Sequence, residues 1–92
     1  MASLLIPTAL RAFTDRKSEI EVAARTAGEA VAALAEAYPD IKQHLYEDGG
    51  ALRSFINVFV GETNIKSLNG LDTPIDADAT VVLVPAIAGG VR

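Results

Sequence analysis

The sequence predicts an α+β fold, a mixed sheet of about five strands covered by one main helix and followed by a flexible C-terminal tail. Three observations predict it. Apolar residues alternate with period two in both halves of the chain, the signature of half-buried strands. Between them lies one helical pattern with a capping signal at its start and proline at its end. Half of the 92 residues are apolar, so a single small core is expected rather than disorder.

The elements follow in order. Leu4, Leu5 and Ile6, before Pro7, form a first short strand. "KSEIEVA" (Lys17 to Ala23) alternates, with Ile20 and Val22 on one side and Glu19 and Glu21 on the other, so it reads as a second strand. Asp15 to Lys17 supplies a polar turn, and the two strands pair as a hairpin with a long connection. In "TAGEAVAALAEAYP", Thr26 and Glu29 fit a capping box, and Ala27, Ala30, Val31, Leu34 and Tyr38 recur at helical spacing. Pro39 ends the helix at Tyr38. Asp40 then caps a short turn that brings Ile41 and Leu45 together, before the break at Asp48 to Gly50. "RSFINVFVG" (Arg53 to Gly61) is the strongest strand, with Ile56, Val58 and Val60 on one face and Phe55, Asn57 and Phe59 on the other. "GETN" turns the chain, Ile65 and Leu68 open short irregular pairings, and "NGLDTP" is rich in turn residues. "IDADATVVLV" returns as the last strand.

This ββαβ(β)β order, with one helix covering one sheet face, predicts a β-grasp (ubiquitin-like) domain over residues 1–85 and a tail over 86–92. In that arrangement the last strand lies centrally beside the first, and the tail after it projects. A net charge of −4 argues against nucleic-acid binding and against attachment to anionic membranes. The absence of cysteine excludes disulfides and thiolate metal sites. "ASLLIPTAL" near the start lacks a basic segment and contains Pro7, so neither a signal peptide nor a spanning helix is read there, and a cytoplasmic protein is expected.

No catalytic constellation is present, so the chain does not read as an enzyme. His44, the only histidine, has no nucleophile to serve and reads as a solvent-facing turn residue. Asp72, Asp76 and Asp78 lack the spacing of a calcium loop and read as turn formers. Chemistry points instead to "VVLVPAIAGGVR". A Gly-Gly pair enters channels too narrow for other residues. Gly90 lies five residues beyond Pro85, a reach of at most about 17 Å, enough to place a carboxylate inside a partner's active site. Adenylation would turn that carboxylate into a mixed anhydride open to a sulfur or nitrogen nucleophile.

"RSFINVFVGETNIKSLNGLDTPIDADATVVLVPAIAGG" closely resembles the C-terminal half of the MoaD/ThiS-type sulfur carrier proteins. The "LDTP" and "PAIAGG" blocks carry the likeness together, and "IPTALRAFTDRKSEIEV" and "AYPDIKQHL" extend it over nearly the whole chain. The nearest likeness is to the branch that delivers sulfur for cysteine biosynthesis. The resemblance implies that an E1-like enzyme uses ATP and magnesium to adenylate Gly90, after which a sulfur donor makes a thiocarboxylate. It implies Gly89, Ala88, Ile87, Ala86 and Pro85 as the segment held in the partner's channel, with no cofactor bound by the carrier itself. It also implies a sulfur-accepting partner, either a PLP-dependent synthase or the large subunit of molybdopterin synthase.

The outward pair of the last strand, Val82 and Val84, suits partner docking, and Phe55 or Phe59 either extends that surface or packs beneath the loop holding Leu68. Val81 and Leu83 should face the core. The sequence departs from the family pattern where Val91 and Arg92 follow Gly90 and occupy its carboxylate. A JAMM-type metalloprotease cutting between Gly90 and Val91 would free it, unless the two residues are a cloning remnant. A molybdopterin synthase small subunit, a ubiquitin-like protein modifier and a plain interaction domain are the alternatives.

Overall fold

The computed structural model describes residues 1–53 and 56–85. Phe55 and the tail residues Ala86, Ile87, Ala88, Gly89, Gly90, Val91 and Arg92 lie outside this range. The strands are β1 (Ala2–Leu5), β2 (Glu19–Val22), β3 (Ile56–Val60), β4 (Thr63–Asn64) and β5 (Thr80–Pro85), and the α-helices are α1 (Ala27–Ala37) and α2 (Lys42–Leu45). Their order across the sheet is β2-β1-β5-β3-β4. β1 and β5 run parallel at the centre, and β1–β2, β3–β5 and β3–β4 are antiparallel. The β-grasp expectation holds, including the central place of the last strand.

One sheet face is built from residues at every second position. Leu4, Val22, Ile56, Val58, Val81 and Leu83 are all buried beneath α1 and the segment that follows it. Ala27, Ala30, Val31, Leu34 and Ala35 form the buried stripe of α1, whose spacing of three and four keeps them on one side of the helix. Ile41 and Leu45 complete the core below the helix end. Burying each large side chain contributes roughly 1.5–3 kcal/mol, so the alternation is the dominant favourable contribution to this small fold. At the start of α1, the Glu29 N–H donates to Thr26 Oγ1 at 3.1 Å, and the Arg25 N–H donates to Glu29 Oε1 at 2.8 Å. The capping pair therefore forms, with the glutamate reaching one residue further back than the usual box.

Several expectations change in detail. β1 begins earlier than expected, and Ile6, although buried, lies beyond its end. The connection to β2 is a 3-10 helix, Thr8–Phe13, ahead of the expected polar turn; it buries Leu10. A 3-10 helix repeats every three residues, and six residues give only two turns, too few to stand out as a pattern. Asp40 does not cap. It sits inside a 3-10 turn, Pro39–Ile41, for which no side chain supplies a cap. Leu68 is 47% exposed and Ile65 is buried, because the chain after β4 coils into 3-10 turns rather than pairing. The last strand starts at Thr80, five residues later than "IDADATVVLV" suggests.

The segment "NGLDTP" does more than turn. Thr73 is buried, donates from Oγ1 to the Gly70 carbonyl at 2.7 Å and accepts from the Asn69 N–H at 3.0 Å. Its own carbonyl accepts from the Ala27 N–H at 2.9 Å, one of the donors that a helix start leaves open. The Ile75 N–H in turn donates to the Arg25 carbonyl at 2.9 Å. The loop thus clips the start of α1 to the far half of the chain. The approach is so close that a Cβ on Gly28 would stand 2.9 Å from the Leu71 carbonyl oxygen.

Thr73→Val keeps the shape but strips two hydrogen bonds from a buried turn, and should cost about 1–3 kcal/mol in urea unfolding. Gly28→Val drives a branched side chain into the Leu71 backbone and should destabilise by about 2 kcal/mol, with a thermal midpoint lower by roughly 8–16 °C. Burial raises the pKa of Tyr46, which bridges to Leu52, above that of a free tyrosine. The unfolded chain then ionises first, so stability is retained below about pH 10 and falls above it. Tyr46→Phe should flatten that alkaline loss in a pH series of unfolding curves.

Candidate functional site

The face of the sheet turned away from α1 carries the other half of each alternation. In β5, Val82 is half-buried and Val84 is 40% exposed, whereas Val81 and Leu83 are in the core. The register sets Val82 opposite Phe59 of β3 and, across the parallel pair, beside Leu5 of β1. Leu5, Val82 and Phe59 therefore form an apolar row across the three central strands. Val84, opposite Asn57, stands one step nearer the chain exit. Glu19 and Glu21 of β2 bound the row on one side. Asn64, whose Nδ2 donates to Asn57 Oδ1 at 3.4 Å, bounds it on the other.

Val82, Val84 and Phe59 thus share one face, as their spacing predicts, and Phe59 stands in this row, away from the helix side. Leu5 was missed, although its place two residues from Ser3 in "ASLL" puts both on the outer side. What hid it was the neighbour: only the β1–β5 pairing makes Leu5 adjacent to Val82. β5 ends at Pro85, which pairs with Ile56. Pro85 is therefore the last described point before the Gly-Gly segment.

A second feature lies on the helix side of Pro85. A cleft of about 670 Å³ is lined by Ala9, Leu10 and Phe13 of the 3-10 helix, Gln43 and His44 of α2, and Pro85 itself. Asp48 and Arg53 also line it, one charge of each sign. His44 does not simply face solvent: its ring stacks on Phe13 with centroids 4.1 Å apart and planes at 29°. The single-residue reading of "DIKQHLYED" could not find that partner, which lies thirty-one positions earlier. Arg53 ties the surrounding loop together, its N–H donating to the Leu45 carbonyl at 2.8 Å and its Nε to the Gln43 carbonyl at 3.0 Å.

Asp72, Asp76 and Asp78 do not converge; among the described residues no group of three metal-ligating side chains comes together. No helix among them is long and apolar enough to cross a membrane.

The ThiS family model matches residues 4–90. The chain is 31% identical over 87 residues to the sulfur carrier protein CysO of Mycobacterium tuberculosis (strain ATCC 25618 / H37Rv), covering 92% of this chain and 94% of that protein. Its fold matches a chain of the Amycolatopsis orientalis BexX/CysO complex with a TM-score of 0.87 at 29% identity, covering 98% and 100% of the two chains. It also matches small archaeal modifier protein 1 from Methanosarcina acetivorans with a TM-score of 0.88, over 97% and 95% of the chains; at 22% identity this is a likeness of fold alone.

The alternation of β5 separates folding from surface. Val81→Asp buries an unpaired charge and should leave the chain unfolded by circular dichroism. Val84→Asp, three positions on and facing out, should shift unfolding free energy by less than about 1 kcal/mol.

Proposed function

The chain belongs to the ThiS family and is a sulfur carrier of the ThiS type, and we propose that its working end is Gly90, exposed by removal of Val91 and Arg92. The observation that carries this reading is the extent of the family match, which runs through the whole body and stops at Gly90. In the cycle we propose, the Gly90 carboxylate attacks the α-phosphorus of ATP on an E1-like enzyme, with magnesium, and pyrophosphate leaves. Sulfide then adds to the acyl carbon and AMP leaves, replacing the C–O bond by C–S and, with loss of the thiol proton to water, giving the thiocarboxylate. The carrier's body supplies recognition while the partner supplies the chemistry, so no side chain of the carrier needs to act as acid or base.

The end residue matters because an amide to Val91 withdraws the nucleophilic carboxylate that adenylation needs, and Arg92 would have to enter a channel shaped for glycine. A JAMM-type metalloprotease is the proposed trimming partner. Among the described residues every buried core residue lies at or before Leu83, so trimming removes none of them. The acceptor we favour is a PLP-dependent synthase of cysteine or a related sulfur metabolite, because the relative named above is a CysO. ATP supply makes the cytoplasm the compartment of this cycle. Val82 and Val84, with Phe59 and Leu5 beside them, are the proposed docking face, and Pro85 through Gly89 the segment held in the channel.

Intact-mass analysis of protein recovered from its native host should find a species ending at Gly90, part of it heavier by one oxygen-to-sulfur exchange. Only the full 92-residue mass, under both sulfur-replete and sulfur-starved growth, would overturn the proposal. Val82→Asp, in the form ending at Gly90, should keep its circular dichroism spectrum and lose adenylation by the E1-like enzyme. Undiminished adenylation would remove the docking face from the account.

A further inference from the structure

We propose that the cleft beside Pro85 is a second docking site, which receives an apolar side chain from the mouth of the activating enzyme's tail channel. This rests on the carrier reading above and adds a surface on the opposite side of the sheet from Val82 and Val84.

Successive residues of a strand point to opposite faces, so Val84 projects on the open face and Pro85 on the helix side. A partner whose channel takes up residues 86–90 closes around the chain at Pro85. Its mouth therefore meets the chain on both faces. On the open face it meets Val84. On the helix side it meets the cleft, of which Pro85 is one wall.

The lining states what the occupant must be. Leu10, Phe13, Ile56 and the stacked His44 ring supply apolar and aromatic lining, and Asp48 and Arg53 add one charge of each sign. A cleft with no net charge and an aromatic wall favours an uncharged anchor such as leucine, methionine or phenylalanine over an arginine or a carboxylate. The volume of about 670 Å³ is ample for one such side chain and its neighbours. The walls are held in place before any partner arrives: Phe13 and His44 brace each other, and Arg53 fixes the α2 backbone through the Gln43 carbonyl. A preformed pocket loses little entropy on filling.

Ala9 and Gln43 line the cleft and are exposed, so filling it from either leaves the core untouched. The experiment measures ATP–pyrophosphate exchange by the E1-like enzyme with the chain ending at Gly90, comparing Ala9→Trp, Gln43→Trp and Ala37→Ser, the last at an exposed position of α1 away from the cleft. The two tryptophan variants should raise KM about tenfold or more with kcat unchanged, and Ala37→Ser should match the parent. Two bulky variants at different walls guard against one of them perturbing the 3-10 helix. Unchanged KM in both, alongside a parent that is adenylated normally, would overturn the second site and leave the carrier reading standing. A parent ending at Gly90 that supports no exchange would overturn the carrier reading itself, and this inference with it.

Discussion

Everything in this molecule depends on the parallel pairing of β1 with β5. Ser3, Leu4 and Leu5 align with Thr80, Val81 and Val82, joining segments separated by almost the whole chain. Parallel neighbours cannot be joined by a tight turn, so the intervening chain has to cross from one end of the sheet to the other. α1 makes that crossing over one face and buries it. Among the described residues no layer covers the other face, and β5 is left in the centre of the sheet. The central place of the last strand and the apolar row on the face away from α1 thus follow from the same pairing.

β5 serves both sides of the sheet at once. Val81 and Leu83 hold the core while Val82 and Val84 face outward, so the strand that presents the tail is anchored as firmly as any part of the fold. A recognition surface built on a central strand moves little relative to the core, and its residues can change without loss of packing. The apolar row through Leu5, Val82 and Phe59 is partly exposed, and acidic residues on β2 and the Asn57–Asn64 pair border it. Such borders also discourage indiscriminate association of an exposed apolar patch.

Residues that act through local periodicity were legible. The capping pair Thr26–Glu29, the buried stripe of α1, and the in-and-out order of Val81 to Val84 could all be read from spacing, because each depends on neighbours within one or two turns of chain. The likeness of "LDTP" and "PAIAGG" to sulfur carriers was legible too, and the match over residues 4–90 bears out the family. The 3-10 helix at Thr8–Phe13 was not, since two turns with a three-residue repeat are too short to stand out from a loop. "NGLDTP" was recognised as turn-rich, but its clip on Ala27 and its contact with Gly28 depend on residues more than forty positions away.

The sequence by itself determined which residues are apolar on which side of each element, where the helix starts and stops, and that a Gly-Gly segment follows the last strand. Those properties are set by backbone geometry and side-chain chemistry over a few residues. Only the tertiary structure decided which of these surfaces meet. It set Leu5 beside Val82, stacked Phe13 on His44, and placed that ring pair and Pro85 around one cleft. These contacts join residues brought close by strand register and helix packing, which depend on the whole core forming together, and no local pattern in the chain encodes them.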